Sequence, residues 1–483
     1  MDGFEGRTFS DAVSRRRFLR LLGLGSAGAA LAACGSSSST PTTAGKGGST
    51  STPTSSVPGF PLGAAAKASG VVSITLWHAM TNANLTTLEH LTNKFNAQQS
   101  KIKVNLLGQA SYTDTFTAYR TGLGSSNLPD LVQMESILLQ DMIDSQSVVP
   151  ATSALKADSS FDSSDVLASA MSFFTVDGVQ YGMPWNCSSQ VMYFNKKVFQ
   201  AAGLDTNTPP ATFAEYKSMA AQAKSKGGVP YGTALKLTAS NVEDWISQTG
   251  GLLLNNGNGR AGRATAVEFG DATGQKVFSF FQEMLSSKIA EATLNTSYDN
   301  LVAIGNGSTG MSIDTSAALG TVLNLLGGGK YHNVTLGVGP LPGINGPGDG
   351  VPYGGAGLYI VKHSVAEKQD AAWQFIKYLL TPPAMAAWAI GSGYIPITKS
   401  SVETAAIKSA WATTPQYKVA YEQIAASKAN AATAGGVTGA FSQVETDIQN
   451  ALSLISTGTS SATAVSQAVS TSNQALASYN SSI

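Results

Sequence analysis

Six aromatic side chains, Trp77, Tyr112, Trp185, Trp245, Tyr353 and Tyr394, fall at predicted strand ends or loops, where a cleft between α/β lobes would open. Rings in such places bury apolar C–H faces at low entropy cost, and short polar side chains or carboxylates bond a rim of hydroxyls. Glu135 follows a short predicted strand and could accept two hydroxyls. His78, beside Trp77, is read either as a satisfied strand-end histidine or as a direct contact. The run Gly354 to Gly357 permits close backbone approach to a ligand or to a neighbouring segment, two uses that the residues alone do not separate. Trp373 and Trp388 sit at core spacing on predicted helices and read as packing. Together these residues suit reversible, non-covalent capture of a polar molecule with apolar faces.

Covalent chemistry finds little support. His78, His90, His332 and His363 have no second ligand at metal spacing, and neither H-E-x-x-H nor a G-x-S-x-G elbow occurs. Cys187 has no evident base and reads as a small core residue. Gly257 to Gly262 matches G-x-G-x-x-G, but Thr265, Val267 and Phe269 follow it where a pyrophosphate needs a helix, so a tight hairpin turn is expected. Glu135, Glu243, Asp244 and Asp314 are the acids that could pair for glycoside hydrolysis, although nothing in their spacing marks them. No catalytic residue, metal ligand or cofactor is assigned.

The positioning elements follow from periodicity. Val72, Ile74 and Leu76 alternate as a strand, Leu85 to Phe95 suits a helix face, and residues 102–106 read as strand again. A helix over 115–123 and a strand over 131–134 continue the alternation, which indicates an α/β sheet with covered faces. Beyond Pro184, strands are expected at 191–194, 310–313, 334–338 and 358–361. Helices are expected after Pro210, around 277–285, and at 366–380, 383–389, 415–430, 440–456 and 462–479.

The N-terminus carries a separate message. Arg15-Arg16-Arg17 precedes an apolar run, Leu21 to Ala33, that is too short for a permanent membrane span and resembles a twin-arginine export signal. Leu31-Ala32-Ala33-Cys34 reads as a lipobox, which makes Cys34 the lipidated first residue after cleavage of 1–33. Residues 34–70 form a lipidated cysteine and a Ser/Thr/Gly linker expected to stay disordered, reaching about 30–35 Å. The expected location is therefore extracytoplasmic, on the outer face of the cell membrane. Removing the leader takes away five of eight arginines and leaves 25 basic and 27 acidic residues. No basic stripe remains to track nucleic acid.

The run Tyr181 to Ser189, with Val191 to Lys196, Phe199 to Asp205, Gly310 to Ile313, Gly354 to Ile360 and Gly393 to Thr398, resembles in order the carbohydrate-type extracellular solute-binding proteins of ABC importers. Trp77-His78-Ala79-Met80 and Gly393 to Thr398 are most similar to the glycerol-3-phosphate-binding branch. The resemblance covers 71–483 and implies an α/β, two-lobe type II periplasmic-binding-protein fold with a ligand cleft between lobes. Lobe one would take 71–183 and 358–402, and lobe two 184–357 and 403–483. The partners implied are a sugar or glycerol-phosphate-like small molecule and the transmembrane subunits of an ABC permease, with the protein acting as a monomer.

By that resemblance Tyr112, Glu135, Ser188, Ser316, Gly355 and Tyr394 fall on ligand-contacting positions. With the aromatic set, His78, Asn186, Asp314 and Gly354, they complete the expected site. One departure matters. Where the branch places a phosphate-binding arginine, this chain reads Gly435-Gly436-Val437-Thr438-Gly439-Ala440-Phe441. Arginine is the usual bidentate partner of phosphate, and only Arg120, Arg260 and Arg263 remain after the leader. A neutral mono- or oligosaccharide is therefore expected, with glycerol 3-phosphate or a glycerophosphodiester as the alternative and a secreted glycosidase as the more distant one.

Overall fold

A computed structural model describes residues 59–483, apart from 126, 296–297, 326–330 and 332–333. The export signal, Cys34 and His332 lie outside the described residues, as does the linker up to residue 58. Thirteen strands are present among them. The first four are β1 (Val72–His78), β2 (Ile102–Gly108), β3 (Leu131–Glu135) and β4 (Val148–Val149). Then come a small hairpin, β5 (Thr175–Val176) with β6 (Val179–Gln180), and β7 (Met183–Ser188). The rest are β8 (Gln190–Asn195), β9 (Tyr231–Lys236), β10 (Ala290–Thr293), β11 (Thr309–Thr315), β12 (Leu336–Pro340) and β13 (Gly354–Val361).

Two mixed sheets divide them. The first runs β2-β1-β3-β13-β4, with β7 also on β13; the second runs β10-β9-β11-β8-β12. In β2, Ile102 and Val104 are buried while Lys103 and Asn105 face solvent, the period-two pattern of an edge strand with one covered face. The central strands β3 and β11 are buried on both faces, as helix-covered strands must be.

The chain passes between sheets at Ser189, because β7 pairs with β13 and β8 pairs with β11 and β12. This corrects the expected crossing between residues 183 and 184, and β13 likewise starts at Gly354 rather than 358. Gln423 fastens the crossings: its Nε2 donates to Ser189 Oγ at 3.0 Å and Gln190 O at 2.8 Å, and its Oε1 accepts from Leu341 N at 2.8 Å. The last two helices, Phe441–Ser456 and Ser461–Ser482, pack on each other and on the second-sheet helix Ala272–Ser286. Buried Val444, Ile448, Leu452 and Ile455 recur at helical spacing along the first of them.

Gly355 shows why β13 opens with glycines. It has φ +113°, and a Cβ there would lie 1.9 Å from Asn186 O. A Cβ on Gly354 would come within 3.0 Å of Ser188 O. The close approach is to β7, one of the two uses the sequence left open. The G-x-G-x-x-G segment is a turn rather than a phosphate loop. Asn256, Gly257, Asn258 and Gly259 all have left-handed φ, and Leu254 bridges Val267 behind them.

Candidate functional site

Strand direction decides which residues meet. β3 ends on Glu135, β7 ends on Ser188, and β13 begins at Gly354 between them. In the second sheet β9 ends on Lys236 and β11 on Asp314 and Thr315, next to Gln190 at the start of β8. These two sheet edges face one another across a cleft of about 390 Å³, a crevice at strand carboxyl ends. Tyr112, Glu135, Ser188, Asp314, Tyr353, Gly354, Gly355 and Tyr394 all line it.

One wall is aromatic and hydrogen-bonded. Tyr112 opens the helix Tyr112–Ser125, and its hydroxyl accepts from Asn186 Nδ2 at 2.8 Å while also bonding Tyr394. Asn186 is held in turn by Gln133 Nε2, which donates to Oδ1 at 2.7 Å. The Tyr394 ring lies on Trp388 at 5.6 Å and 9°, and Trp388 lies on Trp185 at 4.3 Å and 26°. Tyr353 presents its ring only, since its hydroxyl accepts from Trp185 N and donates to Ala356 O.

The other wall is charged. Lys236 Nζ sits 3.1 Å from Asp314 Oδ2, with side chains 10% and 3% exposed. Glu243 and Asp244 come from the helix Ala239–Gln248, and Glu445 from Phe441–Ser456, which packs against it. Burial raises the Glu135 carboxyl to about 7 and the Asp244 carboxyl to about 8. Burial and then the Asp244 charge raise Glu243 to about 8. Burial, then repulsion from Glu243 and Glu135, pushes Glu445 well above the carboxylate range.

The remaining expected contacts lie elsewhere. Trp185 and Trp245 are fully buried, the first in the ring stack and the second donating Nε1 to Pro342 O at 2.8 Å. Trp245 also lies on a helix rather than at a strand end. Trp77 packs in the first core, and His78, 1% exposed, accepts from Met80 N and is pushed down to about 4 by burial. Asn186 positions Tyr112 and is itself inaccessible. Ser316 accepts from Ser189 N at the crossing and lines a separate, largely apolar cavity behind Tyr394. None of these six lines the cleft; each packs or positions a neighbour.

Residues not anticipated as contacts include Lys236, Asp244, Glu243, Glu445, Tyr298 and Phe441. Among the described residues, no arginine lines the cleft. Arg260 donates to the carbonyls of Ser172, Thr175, Ala434 and Gly435, which holds the Gly435-Gly436 loop at the cleft rim. Arg263 pairs with Asp144, and the Arg120 charge acts on Asp141.

These shifts set a pH dependence. With raised carboxyl pKa values the folded state holds more protons than the unfolded state, so stability falls as pH climbs through about 7 to 8. His78 acts oppositely, costing stability below its ordinary 6.5. The ligand-free protein should therefore melt at higher temperature near pH 6.5 than near pH 8.5. Scanning calorimetry checks this, and equal melting points would show that these carboxyls titrate normally.

The profile of the family described as bacterial extracellular solute-binding protein matches residues 90–415. The sn-glycerol-3-phosphate-binding periplasmic protein UgpB of Rhizobium meliloti (strain 1021) is 27% identical over 347 residues, 71% of this chain and 79% of that one. The sugar-binding protein MalE from Xanthomonas citri superposes with a TM-score of 0.70 at 21% identity, covering 84% of this chain and 98% of the other. UgpB from Mycobacterium tuberculosis, in complex with glycerophosphocholine, superposes with a TM-score of 0.66 at 18% identity, covering 84% and 99%. The fold is the two-lobe α/β type II arrangement. No described helix is long and apolar enough to cross a membrane. Converging acids had kept a hydrolase in view, but the fold and the matched profile are those of proteins that capture a solute, and the chain belongs to the bacterial extracellular solute-binding proteins.

Proposed function

We propose that this chain is the substrate-binding lipoprotein of an ABC importer and grips a sugar, not a phosphate ester, between its lobes. The observation that carries the reading is the cleft lining: tyrosine rings and hydroxyl-bonding groups, with no arginine among the described residues. Lobe one takes 71–188 and 354–402, and lobe two takes 190–353 and 403–483. Closure about Ser189 and the 341–353 segment buries the ligand, and the ligand favours closure only through its greater affinity for the closed form. Lipid on Cys34 keeps the monomer beside its permease.

Glycerol 3-phosphate is the second reading. It is favoured by the relative from Rhizobium meliloti and by Lys236, the one lysine among the described residues that line the cleft. Asp314 already engages that lysine. Thermal-shift measurements with mono-, di- and trisaccharides and with glycerol phosphates separate the two. A sugar present at about 100 times its Kd should stabilise the protein by about 2.7 kcal/mol. A glycerol phosphate that stabilises where no sugar does would replace this reading with the second.

A further inference from the structure

Beyond residue 20 the chain has three arginines, and two of them, Arg260 and Arg263, stand in the Gly-rich turn of lobe two. Both reach lobe one. Arg260 Nη1 donates to Thr175 O at 2.7 Å and Ser172 O at 3.2 Å, and its guanidinium lies 5.5 Å from the Phe173 ring centre. Arg263 forks onto Asp144, Nη1 to Oδ2 at 3.0 Å and Nη2 to Oδ1 at 2.5 Å. The last helix adds a third bond to that carboxylate, from the Tyr479 hydroxyl to Oδ2. By contrast, Lys217–Glu283, Lys236–Asp314, Lys368–Asp130 and Lys377–Asp158 each stay within one lobe.

Local preference does not explain Asp144. It ends the helix Leu139–Asp144, where the helix dipole disfavours a carboxylate, and a cation delivered from the other lobe offsets that cost. Ligand contact does not explain it either, because Arg263, Asp144 and Tyr479 do not line the cleft. A half-exposed ion pair on free side chains contributes little, since ordering two of them costs entropy. Here the base of the arginine is already fixed. Arg263 O accepts from Asn256 Nδ2 at 2.7 Å, and Asn258 Oδ1 accepts from Leu253 N and Leu254 N. A planar fork on such a base loses little freedom when it closes on a carboxylate.

The two arginines differ in place. Arg260 also holds Gly435 O, and Gly435 lies against Phe173 and against Pro352 of the 341–353 segment, so that contact sits by the axis of closure. Asp144 and Tyr479 belong to helices that take no part in either crossing. We propose that Arg263, Asp144 and Tyr479 form an interlobe clasp that favours the closed form, so that these positioning residues set affinity without touching the ligand. The inference rests on the closure reading above and assigns part of the closing free energy to named side chains.

The test reads the interlobe distance from paired spin labels at Glu89→Cys and Lys276→Cys, exposed positions on opposite lobes, in the full chain carrying Cys34→Ser; Cys187 is buried. Without ligand, Arg263→Ala should hold about fivefold less closed form than the parent. Arg263→Lys should recover part of it, since the charge stays and the fork is lost. Calorimetry with whichever of glucose, maltose, cellobiose and maltotriose binds should show the same fold loss, because apparent affinity scales with the competent fraction. Lys217→Met, which breaks an ion pair inside lobe two, should change neither readout. Tyr479→Phe repeats the test with a smaller loss should Arg263→Ala misfold. An unchanged distance distribution overturns the clasp, and the closure reading stands if a sugar shortens the parent's distance. A parent distance that neither these sugars nor glycerol 3-phosphate moves overturns closure and clasp together.

Discussion

Replacing Trp388 by alanine should cost about 3–5 kcal/mol of stability and weaken ligand binding by about tenfold. Trp388 is fully buried and stacks with both Trp185 and Tyr394. Its removal opens a cavity that rigid neighbours cannot fill. Such cavities lose dispersion contacts as well as transfer free energy. Tyr394, the member of the stack that reaches the cleft, then loses its backing and its register with Tyr112. The role is one of positioning, so stability alone does not test it.

Trp373→Ala supplies the control. Trp373 is equally buried, but it packs against Phe60 and Phe161 and donates to Asp158, away from the cleft. Chemical denaturation should show comparable losses in the two variants. Calorimetry with whichever sugar stabilises the parent protein should show weakened binding only for Trp388→Ala. Matching affinities in the two variants would reduce Trp388 to packing.

The same residues show what was legible in the chain and what was not. Strands such as 72–78 and 102–108 announce themselves because an alternating burial pattern must be written as alternating residues. The late helices were equally plain in their apolar spacing. By contrast Tyr231-Gly232-Thr233-Ala234-Leu235-Lys236 hides a strand, since small residues carry no period. A Cβ on Gly232 would lie 1.9 Å from Ala220 O, so tertiary packing selected the small residue. Lys236 was missed with its strand.

The helix Ala239–Gln248 was missed too, and Trp245 was placed in a loop for that reason. Val242, Trp245 and Ile246 do recur at helical spacing on it, but over ten residues that is a single short stripe. Tyr112, Glu135, Ser188 and Tyr394 were reachable because strand ends and resemblance pointed to the same positions. Trp185 and Trp77 are buried and absent from the cleft lining. A large aromatic at a strand end can serve the core or the cleft, and only the neighbouring rings decide which.

Lys236→Met should be the second severe substitution. Lys236 and Asp314 hold each other at 3.1–3.2 Å at the cleft wall, where their side chains are only 10% and 3% exposed. Removing one partner of such a pair strands the other, a cost of about 3–5 kcal/mol, while removing both together is often nearly neutral. The double variant Lys236→Met with Asp314→Leu should therefore recover most of the stability that the single one loses, as read by urea denaturation. An unchanged midpoint in Lys236→Met would mean that the pair is solvated.

Binding data on the same proteins bear on the ligand. If the lysine exists to neutralise a phosphate, both variants lose affinity for glycerol 3-phosphate by orders of magnitude. If it exists to hold Asp314 in place beside Thr315 N, which donates to Asp314 Oδ1 at 2.7 Å, sugar affinity should fall only as far as the Asp314 carboxylate is displaced. The second pattern is the expected one, because a lysine already satisfied by a buried carboxylate has little charge left to offer an anion.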